Sequence, residues 1–539
     1  MLSKRKYLFS TTIIAGVMAA AAPVWAQATS TTTSTSTSSN DQDQEDATRV
    51  QDVVVTGSRI RGVYNSPSPV QVVTKDESTL QGLASTSELL QSNAVTGGTS
   101  QINNLYTGFV TNGGPGANTI GLRGLGPTRT LLLLNGRRVA PAGSRGSVGS
   151  ADLNVLPSAL ISRIEVLKDG ASSIYGSDAV AGVINIVTQN DLEGIVVEGQ
   201  YNATTDANGG GDRSRFSISA GHQAENYSII GSVERYDQEA LLVGDREFAR
   251  CPTQGFLNTN PSYQNYIDPL TGQPKCFSLD NGGVTINTLG LSSRAGIGAA
   301  GSLTPGALGT FNRFRPNSAV TTGVVGFEGV GGTSSPNTNV RDTYDPRMLE
   351  ATLFSPVTTT TAFLGVNAKL GGIELYSESL VNRRESSQLD YRQLSLDYAV
   401  GSLLLPANIS GGSAFSVDQG LNGGRNVQAR AFIGFGLYEA KQQVDFAKQT
   451  IGARGDLPFR DWRWDTYASY TRSKSEYTYE QFLTSELIKS LNVVVAPAGT
   501  PASLTRTGIG PAGPVTVTCA VNLTDPTAGC IPAPFLTND

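Results

Sequence analysis

Residues 119–139 read TIGLRGLGPTRTLLLLNGRRV, and residues 151–188 read ADLNVLPSALISRIEVLKDGASSIYGSDAVAGVINIVT. Three short runs within them, 129–134, 164–167 and 183–188, are apolar and bounded by Gly, Pro, Asn or Asp. Short buried strands look like this. One helical turn is expected over 157–162 and another over 171–175. The stretch therefore predicts a small α/β unit punctuated by glycine. GLRGLG within it is a poor nucleotide-binding match, because its spacing is wrong and no long helix follows.

Composition narrows what can surround this unit. At 539 residues the chain is too long for one ordinary core. Charged residues make up 16%, against roughly a quarter in a soluble globular chain. The apolar share is only 39% and there are 61 glycines. Low charge without high hydrophobicity suits extended alternating strands better than helices. A net charge of −5 argues against a nucleic-acid partner. The single histidine, His222, nearly excludes His-based metal centres and His-rich acid–base catalysis. No nucleophile constellation accompanies it, so an enzyme is not expected, nor is a cofactor or metal.

The first 26 residues have every part of a secretory signal peptide. Lys4, Arg5 and Lys6 form a basic start, an apolar stretch runs to Ala22, and Val24-Trp25-Ala26 precedes a cleavage point. Residues 27–50 are Ser/Thr-rich and then acidic, which predicts a disordered tether. QDVVVTGSR over 51–59 is β-prone. It reads as a candidate for strand addition to a partner's sheet edge, or as the first strand of the next domain. A further strand is expected over 70–74 and a short helix over 85–91, with loop over 97–118. In an exported chain, Cys251 with Cys276 and Cys519 with Cys530 read as two loop disulfides.

DVVVTGSRI, the pairing of TIGLRGLG with LLLLNGRRV, and the long block LPSALISRIEVLKDGASSIYGSDAVAGVINIVT resemble the plug domain of TonB-dependent outer-membrane receptors. The resemblance covers residues 51–190. It implies an α/β plug inside a transmembrane β-barrel in the outer membrane of a Gram-negative bacterium, acting in uptake and not in catalysis. It implies a TonB box, here Asp52, Val53, Val54, Val55 and Thr56, on which an inner-membrane TonB–ExbB–ExbD complex would pull. Arg123 and Arg163 match the family's plug arginines, which resemble one half of a salt-bridge cluster with barrel glutamates; the alternative is that each caps plug carbonyls or pairs with Glu165. Asn112, Ser144 and Arg145 would lie on plug loops facing the ligand, a small-molecule nutrient such as a ferric siderophore, cobalamin or an oligosaccharide. The receptor would be a monomer in lipid.

Residues 191–539 answer for the barrel on their own pattern. Ile195, Val197 and Tyr201 alternate with Glu198, Gln200 and Asn202. Phe216 and Ile218 alternate with Arg215, Ser217 and Ser219; Tyr227, Ile229 and Val233 exclude Ser228, Ser232 and Glu234. Ala362, Leu364, Val366 and Ala368 form a fourth apolar face, and Trp462, Trp464 and Tyr470 a seventh. The fifth and sixth runs, 373–384 and 443–455, have mixed faces. Such strands set apolar residues to lipid and polar residues inward. Short connections (223–226, 371–372, 456–460) and long ones (238–358, 385–442, all after 475) fall on opposite ends, as in outer-membrane barrels. About seven strands are expected here. Plugged barrels have about 22, so the chain reads as a partial one. A surface-binding or adhesive protein that uses its barrel only as an anchor is the alternative function.

Overall fold

The computed structural model describes residues 70–74, 85–92, 96, 116–143, 151–205, 208–251, 255–257, 263–265, 284–288, 313–316, 327–329, 346–399, 401–404, 427–458, 462–510, 513–525 and 527–533. All lie in one unit, Val54–Asp539. The expected signal peptide, tether and TonB box lie outside the described residues.

The first sheet has five strands in the order β1-β4-β5-β2-β3. They are β1 (Val70–Thr74), β2 (Thr130–Leu134), β3 (Arg137–Arg138), β4 (Ile161–Leu167) and β5 (Gly182–Thr188). Only β2 and β5 run parallel. The four-leucine run of β2 explains its place inside the sheet, between β5 and the edge strand β3. Leu132 and Leu134 join one apolar cluster, and Leu131 and Leu133 join another on the opposite face. A strand covered on both sides reads as a continuous apolar run. Helix α1 (Thr86–Ser92) and the short α2 (Ser172–Tyr175) complete the unit. The turn expected over 157–162 is tighter than anticipated. It is a 3-10 turn over Ser158–Leu160, and β4 already begins at Ile161.

Seven antiparallel strands follow as a meander: β6 (Gly194–Asn202), β7 (Arg213–Gln223), β8 (Tyr227–Gln238), β9 (Val357–Leu370), β10 (Ile373–Ala399), β11 (Val427–Asp456) and β12 (Arg463–Tyr479). Each pairs with its chain neighbour. The long segment between β8 and β9 leaves their pairing intact, from Gln238 opposite Val357 down to Tyr227 opposite Ala368. Three short strands from that segment, Val284–Thr288, Arg313–Pro316 and Phe327–Gly329, extend the sheet beside the start of β11.

Two expected loops are corrected. Residues 385–399 and 427–442 are not connection but the continuation of β10 and β11, which run to 27 and 30 residues. About 9–11 residues suffice to cross a bilayer, so both strands project far beyond one. The region after 475 is likewise not all loop. Helix α3 (Thr484–Leu491) leads into a three-stranded sheet of β13 (Val493–Val495), β14 (Arg506–Gly510) and β15 (Gly513–Cys519). A Cys519–Cys530 disulfide closes this small module. Cys251 is also disulfide-bonded, while Cys276 lies outside the described residues.

The seven-strand sheet is inside-out relative to a soluble protein. On one face Ile195 is 73% exposed and Val197 61%, with Phe216, Ile229, Val233 and Leu364 also exposed. On the other face Ser217, Thr361, Asn382 and Gln442 are buried. Contiguous apolar surface on this scale is what a lipid-facing barrel wall presents. Among the described residues no helix is long and apolar enough to cross a membrane, which says nothing of strands.

Candidate functional site: the seat of the plug on the barrel wall

The buried polar face of the wall is buried by the α/β unit. Ile230, Phe363, Leu380, Val444 and Phe446 point inward and share one apolar cluster with Leu122, Leu132, Leu153, Leu160, Ile164 and Ile186 of the unit. Around that apolar patch the contacts are polar, and they gather at two levels.

The level nearer the long connections centres on Arg384 of β10. Its Nε lies 3.0 Å from Oδ2 of Asp152, with side-chain exposures of 1% and 3%. The other oxygen of Asp152, Oδ1, accepts from the backbone N–H groups of Asn118 (3.2 Å) and Asn154 (3.1 Å). Asp152 thus caps the turn Leu153–Val155 and meets a barrel cation with the same carboxylate. Asn382, two residues before Arg384, donates to the Asn154 carbonyl (3.0 Å) and to Thr361 Oγ1 (2.8 Å). Gly116 and Gly143 sit at this level with positive φ. A Cβ on Gly116 would stand 2.7 Å from Val357 Cγ2, and one on Gly143 would stand 2.9 Å from Val444 Cγ2. Both positions need glycine for backbone and for space.

The level nearer the short turns centres on the β2–β3 hairpin. Asn135 and Gly136 both have positive φ and make the tight turn. Asn135 Nδ2 donates to Glu378 Oε1 of β10 at 2.8 Å. Arg137 donates to Tyr376 Oη (2.7 Å) and Asp465 Oδ2 (2.6 Å), and its guanidinium lies 3.9 Å from the Tyr467 ring centroid. A planar guanidinium can hold carboxylate, phenol and ring face at once, which an ammonium cannot. Burial works against the charge of Arg137, but the hydrogen bond and charge of Asp465, with Tyr376, hold its pKa above the ordinary value.

The expected plug arginines sit elsewhere. Arg123 is exposed with positive φ and donates to the Lys168 carbonyl at 3.3 Å, within the plug. Arg163 pairs with buried Glu165 at 2.9 Å, again within the plug. Glu165 in turn accepts from Asn185 Nδ2 (3.2 Å), and Asn185 Oδ1 accepts from Gly136 N–H (2.9 Å). Through Glu165 and Asn185, Arg163 therefore braces the hairpin that meets the wall. Ion pairs that cross the boundary among the described residues include Asp152–Arg384, Arg137–Asp465 and Glu88–Arg213. Sequence reading missed all six residues. The available signal was an arginine on the polar face of an alternating strand, at 213 and 384.

Asn112, Ser144 and Arg145 lie outside the described residues. The last described residue before the last two is Gly143. There the wall strand β12 takes hold, as Ser473 Oγ accepts from Gly143 N–H at 3.3 Å and the Tyr477 hydroxyl donates to the Gly143 carbonyl. Among the described residues no cluster of His, Cys, Asp or Glu could hold a metal ion.

Residues 62–183 match the family model described as TonB-dependent Receptor Plug Domain. The chain is 22% identical over 359 residues to the iron-regulated outer membrane virulence protein of Vibrio cholerae serotype O1, covering 63% of this chain and 51% of that one. The chain thus spans about half the length of the curated relative it matches. Similar solved structures include the ferric enterobactin receptor of Pseudomonas aeruginosa, at 14% identity and TM-score 0.34, covering 76% of this chain and 49% of that one. Another is the ferric preacinetobactin receptor of Acinetobacter baumannii, at 11% identity and TM-score 0.36, covering 78% and 48%. Residues 62–183 thus match a TonB-dependent receptor plug domain, and strands whose apolar face is exposed follow it in the chain.

Proposed function

We propose that the protein takes up a scarce nutrient across the outer membrane, driven by the proton gradient through TonB, ExbB and ExbD, with the plug as its gate. The observation that carries this reading is the mixed seat of the plug. A gate must close firmly and still let go. Here one shared apolar cluster is ringed by ion pairs and amide contacts that water or another partner can replace. The iron-regulated Vibrio relative supports an iron chelate as the nutrient class. Asp52 to Thr56 would be the handle, because backbone pairing with a partner strand transmits a pull with little demand on sequence. The Ser/Thr tether before it provides reach.

The test uses cells lacking the gene and supplied with the full-length protein, offered radiolabelled ferric siderophores singly. Accumulation is expected for at least one and is expected to stop when a protonophore collapses the gradient, while surface binding persists. Binding with no gradient-dependent accumulation of any nutrient would overturn the uptake reading in favour of an anchored binding protein.

A further inference from the structure

The inward face of the wall carries polar atoms that the plug covers without satisfying. On β10 and β11, Glu378 Oε2, both side-chain polar atoms of Gln442, and Lys448 Nζ are buried with no hydrogen-bond partner among the described residues. Lys448 is the costliest of these, because an ammonium carries a full charge. It is 4% exposed, and among the described residues it is held in no ion pair. Its strand is paired on both sides at that height, with Leu380 and with Thr471, so this is not the bareness of a sheet edge. A lysine buried to this extent is rare without a counter-charge.

The wall has a counter-charge close by. Glu378 stands opposite Thr450, two residues along β11 from Lys448 and on the same face. Diagonal neighbours of this kind lie about 7–8 Å apart, within reach of long side chains. Glu378 and Arg137 are the charged groups whose fields reach Lys448. Yet Glu378 is turned to the plug, where its Oε1 accepts from Asn135 Nδ2 at 2.8 Å. Asn135 is itself fixed at the tip of the β2–β3 hairpin, with positive φ and with its Oδ1 accepting from Thr188 N–H at 2.9 Å. The plug thus occupies the carboxylate that the lysine lacks.

We propose that Glu378 changes partner when the plug lets go. The β2–β3 hairpin withdraws Asn135, and the released carboxylate closes on Lys448 within the wall. The inference rests on the reading of the plug as a gate. In the closed state the ammonium is uncompensated; in the open state it is paired. The exchange therefore favours opening and gives the wall a second stable arrangement.

Protease cleavage of the plug in vesicle-embedded full-length protein reads the open fraction, because cleavage follows that population when reclosing outpaces cutting. Lys448→Met is expected to slow cleavage about tenfold or more, since it relieves the closed state and removes the partner from the open one. Lys448→Gln is expected to act in the same direction and serves if methionine impairs insertion. A lysine that braced the closed seat would give the opposite sign. Lys448→Arg is expected to keep the rate within about twofold of the unaltered protein, which separates charge from packing. Asn135→Gly keeps the positive φ of the turn, removes the donor to Glu378, and is expected to speed cleavage about tenfold. In the Lys448→Met background that gain is expected to shrink to about threefold or less. Faster or unchanged cleavage in both Lys448→Met and Lys448→Gln would overturn the proposal. So would an undiminished gain from Asn135→Gly in the Lys448→Met background. Absence of gradient-dependent accumulation by the unaltered protein would instead overturn the gate reading, since cleavage is read without transport.

Discussion

Arg384→Met is expected to loosen the plug by about 3–5 kcal/mol, the cost of leaving one partner of a buried ion pair uncompensated. Both members are almost completely buried, so solvent does not soften the loss. Asp152 would keep its two backbone donors, Asn118 and Asn154, but lose the barrel cation it meets. Asp152→Asn should cost less, because the amide oxygen can still cap the turn while Arg384 keeps Ser386 Oγ at 3.2 Å. Protease cleavage of the plug in vesicle-embedded full-length protein reads the effect. If the pair is the seat, the two substitutions together should cost clearly less than their sum. A change within about 0.5 kcal/mol for Arg384→Met, the range of ordinary surface substitutions, would mean that the apolar cluster alone holds the plug.

The second large effect is on transport. Deleting residues 51–56 is expected to abolish gradient-driven uptake and to leave nutrient binding at the cell surface unchanged. The deletion removes the Val53–Val55 run that would pair with a partner's sheet edge. Among the described residues the first plug–wall ion pair is Glu88 with Arg213, well after the deleted segment. Residual uptake close to that of the unaltered protein would refute the box assignment. Loss of both uptake and binding would show that these residues belong to the plug fold.

The elements most legible in the sequence are those whose environment is uniform. β1 falls where the short Val run predicts it, and β2 is recognisable because leucine covers both of its faces. The lipid-facing strands β6 to β9 show their alternation because apolar and polar sides differ sharply. β10 and β11 look weaker for a physical reason. Their inward faces carry Asn382, Arg384, Ser386, Gln442 and Lys448, polar groups buried only because a plug lies against them. Past Ser386 the alternation of apolar and polar side chains lapses, as in Ser387-Gln388-Leu389-Asp390, so 385–399 passes for loop.

The seat itself was hidden for another reason. Asp152 and Arg384, like Arg137 and Asp465, are joined by topology and not by spacing, so no local pattern pairs them. Resemblance pointed to Arg123 and Arg163. Among the described residues those two meet plug partners, while Arg137, in the very stretch that carries the resemblance, reaches the wall.

The central claim is that residues 62–183 close a barrel from within. Ion conductance of the full-length protein in a planar bilayer tests it most directly, with the plug present and with residues 51–190 removed. The intact protein is expected to be electrically silent and the plugless form to conduct steadily. Equal conductance in the two forms would contradict the account.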